Sequence, residues 1–148
     1  MATVNDLISA KTDGSRYAVK VTETVYRAIR LMANTHIGPV LVVENGVVIG
    51  IFTERDYIMR VEVEGRSPKD TLLREVMTDK MYTVTTHTSV VDCLALMRLH
   101  HIRHLPVVEN GNLLGIISMR DAVDAVLDER RDQIQGLENY TPATGFHG

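Results

Sequence analysis

The sequence predicts an α/β (α+β) fold built from two copies of one β-α-β-β-α unit. Residues 17–61 align on residues 82–126 at a constant offset of 65 without a gap, and 17 of the 45 positions are identical, which favours duplication over chance. Each copy has apolar residues at helical spacing, followed by two apolar runs that flank an Asn-Gly pair. A repeat of this length indicates two supersecondary units that bury their apolar faces together.

The first copy begins with a short strand, predicted over residues 17–21, and continues with an amphipathic helix. The helix is indicated by apolar residues spaced three and four apart: Val25, Ala28, Ile29 and Met32. Two strands follow, over residues 40–43 and 47–52, and Asn45-Gly46 between them predicts a tight hairpin because both residue types tolerate positive φ. A second helix is expected over about residues 54–63.

The second copy repeats this order. A strand is predicted over residues 82–85, and Ser89 with Asp92 three residues later predicts the capped start of a helix. The apolar face of that helix consists of Val90, Cys93, Leu94 and Met97. Strands over residues 105–108 and 113–117 flank Asn110-Gly111, and a second helix is expected from about Met119 onward.

The repeat also predicts the boundaries along the chain. Residues 64–70 are polar, contain Gly and Pro, and are expected to connect the copies. Residues 4–9 and 72–78 resemble each other and predict a short helix ahead of each first strand, so we expect a first domain at 4–65, a second at 72–130 and a C-terminal extension at 131–148. Ile134 and Leu137 on one side of a charged, helix-like stretch leave two interpretations open, a solvated extension or an oligomer contact.

Composition limits the functional classes. With 148 residues, 45% hydrophobic and 24% charged, the chain is expected to be globular, and a net charge of -3 argues against a nucleic-acid binder. The apolar runs fall short of the roughly 20 residues that span a bilayer, so no membrane segment is predicted. A single cysteine, Cys93, cannot form an intramolecular disulfide, and the N-terminus lacks signal-peptide features, which together favour a cytoplasmic location.

A second repeated pattern bears on function. Gly50, Thr53 and Asp56 recur at the same spacing as Gly115, Ser118 and Asp121, with an arginine just before each acid. A hydroxyl followed three residues later by an acid is a helix-capping signature, which is the purely structural interpretation. A glycine beside a helix N-terminus also favours an anion such as phosphate, and the acid can accept hydrogen bonds from ribose hydroxyls. The same residues can serve both purposes.

The order of elements, the duplicated Gly-x-x-[Thr/Ser]-x-x-Asp pattern and the Val-Val-Glu-Asn-Gly ahead of it resemble a tandem pair of CBS domains, the family named for cystathionine β-synthase. The resemblance covers about residues 4–126. It implies that two domains pack sheet to sheet with pseudo-twofold symmetry and leave two clefts between them. It also implies that an adenosine-containing ligand binds in these clefts.

The resemblance further implies which residues contact the ligand. The hydroxyl and acid of each motif would contact ribose or phosphate, which assigns Thr53 and Asp56 to one cleft and Ser118 and Asp121 to the other. Backbone near the first strand of each copy would frame the adenine. The remaining positions carried over in this way are Arg55, Met119 and Arg120 within the motifs, and Ala18, Val19, Lys20, Thr83 and Val84 at the first strands. The family often has proline just after that strand, where this chain has Val21 and Thr86.

The two clefts are not expected to be equivalent. The second copy reads Ile102-Arg103-His104-Leu105-Pro106 before its hairpin, whereas the first has no basic residue at the matching positions. Arg103 and His104 resemble the basic pair that meets phosphate in nucleotide-binding relatives, and arginine suits phosphate through its forked donors. Ile102 and Pro106 beside the pair are included among the expected nucleotide-binding residues. We therefore expect a cleft that uses Arg103, His104 and Asp121 to bind best, with Asp56 in a weaker or vacant one.

Two further residue types have mainly structural interpretations. His100 and His104 have a spacing that would suit a metal on one helical face, but Pro106 predicts that the helix has ended before His104, so a polar or phosphate-binding role is favoured over a metal site. Cys93 matches Ala28 in the first copy and is expected to be a small buried residue, not a nucleophile.

No hydrolase, phosphate-loop or zinc-protease signature is present in the sequence, which favours a binding role over catalysis. We expect a non-catalytic sensor that needs no cofactor, binds AMP, ADP or ATP, or else NAD, S-adenosylmethionine or coenzyme A, and signals to a regulated partner by a shift in conformation. A homodimer is expected from the resemblance. The alternatives are a constitutive dimeric scaffold with vestigial nucleotide sites and, third, an enzyme acting on a nucleotide.

Overall fold

The computed structural model describes residues 1–8, 17–36 and 38–140, with the backbone alone for 137–140. The first copy contains α1 (Val4–Ile8), β1 (Ala18–Lys20), α2 (Val25–Thr35), β2 (Val40–Glu44), β3 (Val47–Phe52) and α3 (Glu54–Tyr57). The second contains α4 (Leu73–Val76), α5 (Val90–His100), β4 (His104–Glu109), β5 (Asn112–Ser118) and α6 (Met119–Tyr140). The predicted mixed α/β architecture of two related units is confirmed.

Each copy has an antiparallel hairpin at its centre. In the first, β1 pairs in parallel with β2, and β2 pairs antiparallel with β3. The loop residues Asn45 and Gly46 have φ of 52° and 79°, and Asn110 and Gly111 between β4 and β5 have 53° and 78°. Both central residues of each turn are thus left-handed, as a type I′ turn requires, so both predicted hairpins are confirmed.

The first strand predicted for the second copy is wrong. Over residues 82–85 the chain makes one isolated parallel bridge, between Val84 and Val107, and the second sheet consists of β4 and β5. Val84 donates its N–H to the carbonyl of Pro106 and accepts one from Val108. Pro106 stands where the first copy has Leu41 and has no N–H to donate, so the ladder cannot extend upstream of the bridge. Downstream, the N–H of Thr86 donates to the Glu109 carboxylate, whereas the matching N–H of Val21 donates to the carbonyl of Val43.

The predicted helices α2 and α5 pack as expected. Val25 and Ala28 in α2, and Val90, Cys93 and Met97 in α5, are buried. Thr24 and Ser89 cap the two helices, each accepting a hydrogen bond from a backbone N–H three residues later. Each helix ends at a histidine in the left-handed region, His36 with φ of 57° and His101 with φ of 55°.

The second helix of each copy differs from expectation in detail. In the first copy, α3 is a single turn that continues as a π-helical segment over Ile58–Glu62. Arg60 in this segment donates hydrogen bonds to the carbonyls of Val76 and Met77, at 3.2 and 2.8 Å. In the second copy, α6 runs on to Tyr140, so the part of the 131–148 extension that the structure describes continues this helix, with Ile134 exposed.

The short helices α1 and α4 are exchanged between the copies. Val4 of α1 is fully buried in the second core, among Val84, Met97, Leu105 and Val107. Leu73 and Val76 of α4 are buried in the first core with the residues of β2, β3 and α2. In space, each core therefore includes the short helix that precedes the first strand of the other copy, here called its lead-in helix. The domain limits 4–65 and 72–130 remain a prediction that describes the sequence repeat.

Candidate functional site

A cleft of about 990 Å³ lies between the two copies. The first copy contributes the start of α3 with its cap, from Thr53 to Asp56, and the Gly38-Pro39 turn before β2. The second copy contributes the chain from the end of α5 into β4, including Ile102, Arg103 and Pro106. The connecting segment, residues 77–82 between α4 and the bridge at Val84, forms a third wall, with Thr78, Lys80, Met81 and Tyr82.

Asp56 is the buried acid of this cleft, with 7% of its surface exposed. One of its carboxylate oxygens accepts hydrogen bonds from the backbone N–H of Thr53 at 2.9 Å and from its hydroxyl at 3.2 Å. The other oxygen accepts the hydroxyl of Thr78 at 2.9 Å and lies 4.0 Å from Nε of Arg60. Since a carboxylate offers about four acceptor positions, Asp56 retains capacity for a ligand hydroxyl while it caps α3.

The repeated glycines were expected to let an anion approach a helix N-terminus, but in the structure they allow close packing. A Cβ atom on Gly50 would lie 2.7 Å from Sδ of Met77 and 3.0 Å from the carbonyl oxygen of Thr78. Thr78 forms a two-bond bridge with Ile51, so the connecting segment lies directly on β3. The glycine therefore admits a crossing chain.

The cleft is rich in cationic side chains although the whole chain carries a net charge of -3. Arg55, Lys80 and Arg103 line it, and within the residues that the structure describes no hydrogen bond or ion pair engages their side chains. Glu54 and Asp56 are the acids of the lining. Cations that have no partner among the described residues and converge on one concave site favour an anionic ligand.

Seven of the sixteen predicted site residues meet in this cleft. Those that line it are Thr53, Arg55, Asp56, Ile102, Arg103, His104 and Pro106. Those that do not line it are Ala18, Val19, Lys20, Thr83, Val84, Ser118, Met119, Arg120 and Asp121. Arg103 and His104 share this cleft with Asp56 of the first copy, and Asp121 does not line it, so the expected grouping of the basic pair with Asp121 is not found in this cleft.

Ser118 and Asp121 form the equivalent cap at the start of α6. The backbone N–H of Ser118 donates to Asp121 at 3.0 Å, and the N–H of Asp121 donates to the Ser118 hydroxyl at 3.0 Å. In the first copy the corresponding wall would be the chain after Ile8, which packs at Gly115 as Met77 packs at Gly50, and residues 9–16 of that chain lie outside the described residues. The cleft expected at Asp121 therefore stays a prediction.

Several cleft residues were not predicted from the sequence. Lys80 and Tyr82 belong to the connecting wall, and Tyr82 stacks on His100 with ring centroids 3.6 Å apart and planes 12° apart. Arg60 and His101 also line the cleft. For Lys80 and Tyr82, the signal that could have found them is the expectation that chain near the first strand frames the ligand, extended a few residues upstream.

The structure also bears on a metal site, a reactive cysteine and a membrane-spanning helix. Among the described residues, no group of three or more His, Cys, Asp or Glu side chains is arranged to hold a metal ion. Cys93 is buried, and its burial, with the charge of Asp92, raises the pKa of its thiol, which opposes nucleophilic reactivity. No helix in the described part of the chain is both long and apolar enough to cross a membrane.

Comparison with known proteins agrees with this architecture. The CBS domain family matches the chain twice, over residues 15–62 and 73–128. The chain is 37% identical over 146 residues to the CBS domain-containing protein CBSX3, mitochondrial, of Arabidopsis thaliana, covering 93% of this chain and 71% of that protein. It is 33% identical over 130 residues to the CBS domain-containing protein YhcV of Bacillus subtilis, covering 87% and 89%.

Solved structures show the same fold. A CBS-domain protein from Burkholderia ambifaria is 43% identical with a TM-score of 0.79, covering 86% of this chain and 95% of that one. A CBS domain protein from Pyrobaculum aerophilum complexed with AMP is 24% identical with a TM-score of 0.70, covering 80% and 88%, which shows a shared fold. The duplicated unit, its capped motifs and these matches together show that the chain belongs to the CBS domain family and contains two copies of that domain.

Proposed function

We propose that this CBS-domain regulatory module is a non-catalytic sensor that binds an adenine nucleotide in the cleft between its copies. The observation that carries the proposal is the convergence of Asp56 with Arg55, Lys80 and Arg103 on one cleft. A buried carboxylate suits the hydroxyls of a ribose, and unpaired arginine and lysine suit phosphate. The Pyrobaculum protein of the same fold is complexed with AMP, which supports this ligand class.

The charge of the lining separates the candidate ligands. AMP, ADP, ATP and NAD carry phosphate, whereas the sulfonium of S-adenosylmethionine is cationic and would face Arg55, Lys80 and Arg103. Apolar walls for a base are available from Ile51, Met81 and Ile102. We therefore place phosphate-bearing adenosine compounds ahead of S-adenosylmethionine.

Signalling would follow from the position of the cleft. A ligand that contacts Asp56 in the first copy and Arg103 in the second favours one relative arrangement of the copies, and that arrangement is recognised by a partner protein. Thr78 lies between them, bridged to β3 and hydrogen-bonded to Asp56. Ligand hydroxyls that approach Asp56 would compete with or add to the Thr78 contact, which ties occupancy to the connecting segment.

A homodimer is part of the proposal. Tyr26 and Val91 occupy matching positions in the repeat and are 40% and 50% exposed, and Ile58 and Val123 match and are 53% and 40% exposed. Large apolar side chains exposed at equivalent positions of both copies are candidates for a contact with a second copy, in which each patch would meet its counterpart on the partner. The cytoplasmic location remains a prediction, and the plant relative is named mitochondrial.

One observation favours the alternative of a constitutive scaffold. Three hydrogen bonds already engage the Asp56 carboxylate, and they satisfy it as a structural cap without any ligand. In that case the motif would be capping chemistry alone, and no adenosine compound would stabilise the fold.

Thermal unfolding with AMP, ADP, ATP, NAD and S-adenosylmethionine separates the two functions. A ligand at 100 times its Kd adds about 2.7 kcal/mol, or roughly 5–10 °C in Tm for a chain of this size. We expect a rise with phosphate-bearing compounds and little with S-adenosylmethionine. A flat panel on protein purified free of bound nucleotide would favour the scaffold.

A further inference from the structure

Three histidines line the cleft. His100 is the last residue of α5, His101 follows it in the left-handed conformation, and His104 begins β4. The tight reversal between helix and strand brings all three to the same wall. Histidine is the side chain that ordinarily gains a proton between pH 5 and 8, so a wall of histidines is a candidate for ligand binding that is linked to protons.

His101 occupies a position where glycine is the usual residue. Its φ of 55° and ψ of 44° end α5, and a side chain other than glycine or asparagine is uncommon there. His36 holds the same position at the end of α2, with φ of 57° and ψ of 32°, but it does not line this cleft. The repeat thus offers two histidines of matching backbone geometry, one inside the cleft and one outside it.

The charged groups that face these imidazoles come from every wall. The cations are Arg55 on α3, Arg60 on the π-helical segment, Lys80 on the connecting segment and Arg103 before β4, and the acids are Glu54 and Asp56 on α3. Arg60 is held by backbone carbonyls, and Tyr82 stacks on His100. Cations outnumber acids in this lining, so an anion that enters the cleft meets a net positive wall that includes the imidazoles.

We infer that His100 and His101 are additional phosphate-binding residues of this cleft, and that nucleotide binding is coupled to their protonation. The inference rests on the proposed nucleotide site. A bound phosphate stabilises protonated imidazole, and by linkage protonated imidazole raises the affinity for phosphate. Affinity for the nucleotide therefore rises as the pH falls, and the complex takes up protons as it forms.

Calorimetric titration with AMP at pH 6.5, 7.2 and 8.0 tests the coupling. We expect the affinity to rise roughly three- to tenfold from pH 8.0 to 6.5, since one fully coupled proton changes it about tenfold per pH unit. Titration at pH 7.2 in buffers of different ionisation enthalpy should show net proton uptake. The phosphate of AMP itself ionises near pH 6, so the range stays above that value. Adenosine, which has no phosphate, is the ligand control and should bind with little pH dependence.

Matched variants locate the effect. His101→Asn keeps a residue that tolerates the left-handed region, and His36→Asn makes the same change outside the cleft. We expect His101→Asn to weaken AMP binding at pH 6.5 and to flatten the pH dependence, and His36→Asn to behave as wild type. His100→Gln is a second variant in the cleft and should also reduce proton uptake.

The outcomes are distinguishable. AMP binding that does not change with pH, or a pH dependence unaltered in both cleft variants, would overturn this inference and leave the nucleotide site standing. A similar pH dependence for adenosine would also overturn it, because the phosphate would then not be the coupled group. Failure to bind AMP at any pH would overturn the proposed site and this inference together.

Discussion

Gly50 and Gly115 occupy the same position in the two copies, but their neighbours differ. A Cβ on Gly50 would meet the backbone carbonyl of Thr78 at 3.0 Å in addition to the side chain of Met77, whereas one on Gly115 would meet the side chain of Ile8, with Cδ1 at 2.6 Å. A side-chain end can rotate away, but a carbonyl held in a two-bond bridge cannot. The same sequence motif is therefore under a stricter steric limit in the first copy.

Gly50→Ala and Gly115→Ala test this difference. We expect Gly50→Ala to lower the free energy of unfolding by about 1–3 kcal/mol, as overpacking does. Gly115→Ala should cost less, because Ile8 can move and alanine loses less backbone entropy than glycine in a strand. Urea unfolding of both variants measures the two costs. A larger loss in Gly115→Ala would show that the crossing of Thr78 over β3 is not the tighter contact.

At the scale of elements, the sequence predicted what depends on local chemistry. The Asn-Gly pairs predicted both hairpins, and the spacing of the apolar residues predicted α2 and α5. The missing strand at residues 82–85 depends on the N–H that Pro106 lacks and on the N–H of Thr86, which bonds to Glu109 instead of the neighbouring strand. The exchange of α1 and α4 depends on contacts between residues far apart in sequence. The acid opposite Arg103 could not be identified for the same reason, since both Asp56 and Asp121 follow identical local patterns.

The exchange of lead-in helices predicts which core each helix stabilises. Val4→Ala should lower the free energy of unfolding by roughly 1–3 kcal/mol, because it removes two buried methyl groups from the second core. Hydrogen exchange should show faster opening of β4 and β5 than of β2 and β3. Val76→Ala is the matched control and should reverse that order. Loss of protection in the first sheet from Val4→Ala would contradict the exchange.

At the scale of the whole molecule, the repeat gives the chain two similar outer faces and one internal cleft with unequal walls. The exposed apolar residues recur in both copies, whereas the histidines of the cleft and Arg103 come from the second copy and its buried acid comes from the first. The pattern suits a protein that pairs through its outer faces and responds to a ligand between its copies.

The proposed dimer has a direct test. Ile58→Asp and Val123→Asp place a charge at matching exposed positions of the two copies. If these faces pair, each change should weaken self-association by at least tenfold, because an unpaired charge would be buried in the contact. Sedimentation velocity across a concentration series measures the change. A wild-type chain that sediments as a monomer at all concentrations would contradict the dimer.

The central claim is that the nucleotide binds where Asp56 faces Arg103. Calorimetric titration of AMP into wild type, Asp56→Asn and Asp121→Asn tests it most directly, because both acids cap a helix in the same way and only Asp56 lines the described cleft. We expect Asp56→Asn to weaken AMP roughly ten- to hundredfold, the scale of a lost charged hydrogen bond. Asp121→Asn should keep the wild-type affinity at this cleft. Lost affinity in Asp121→Asn with wild-type binding in Asp56→Asn would contradict the account.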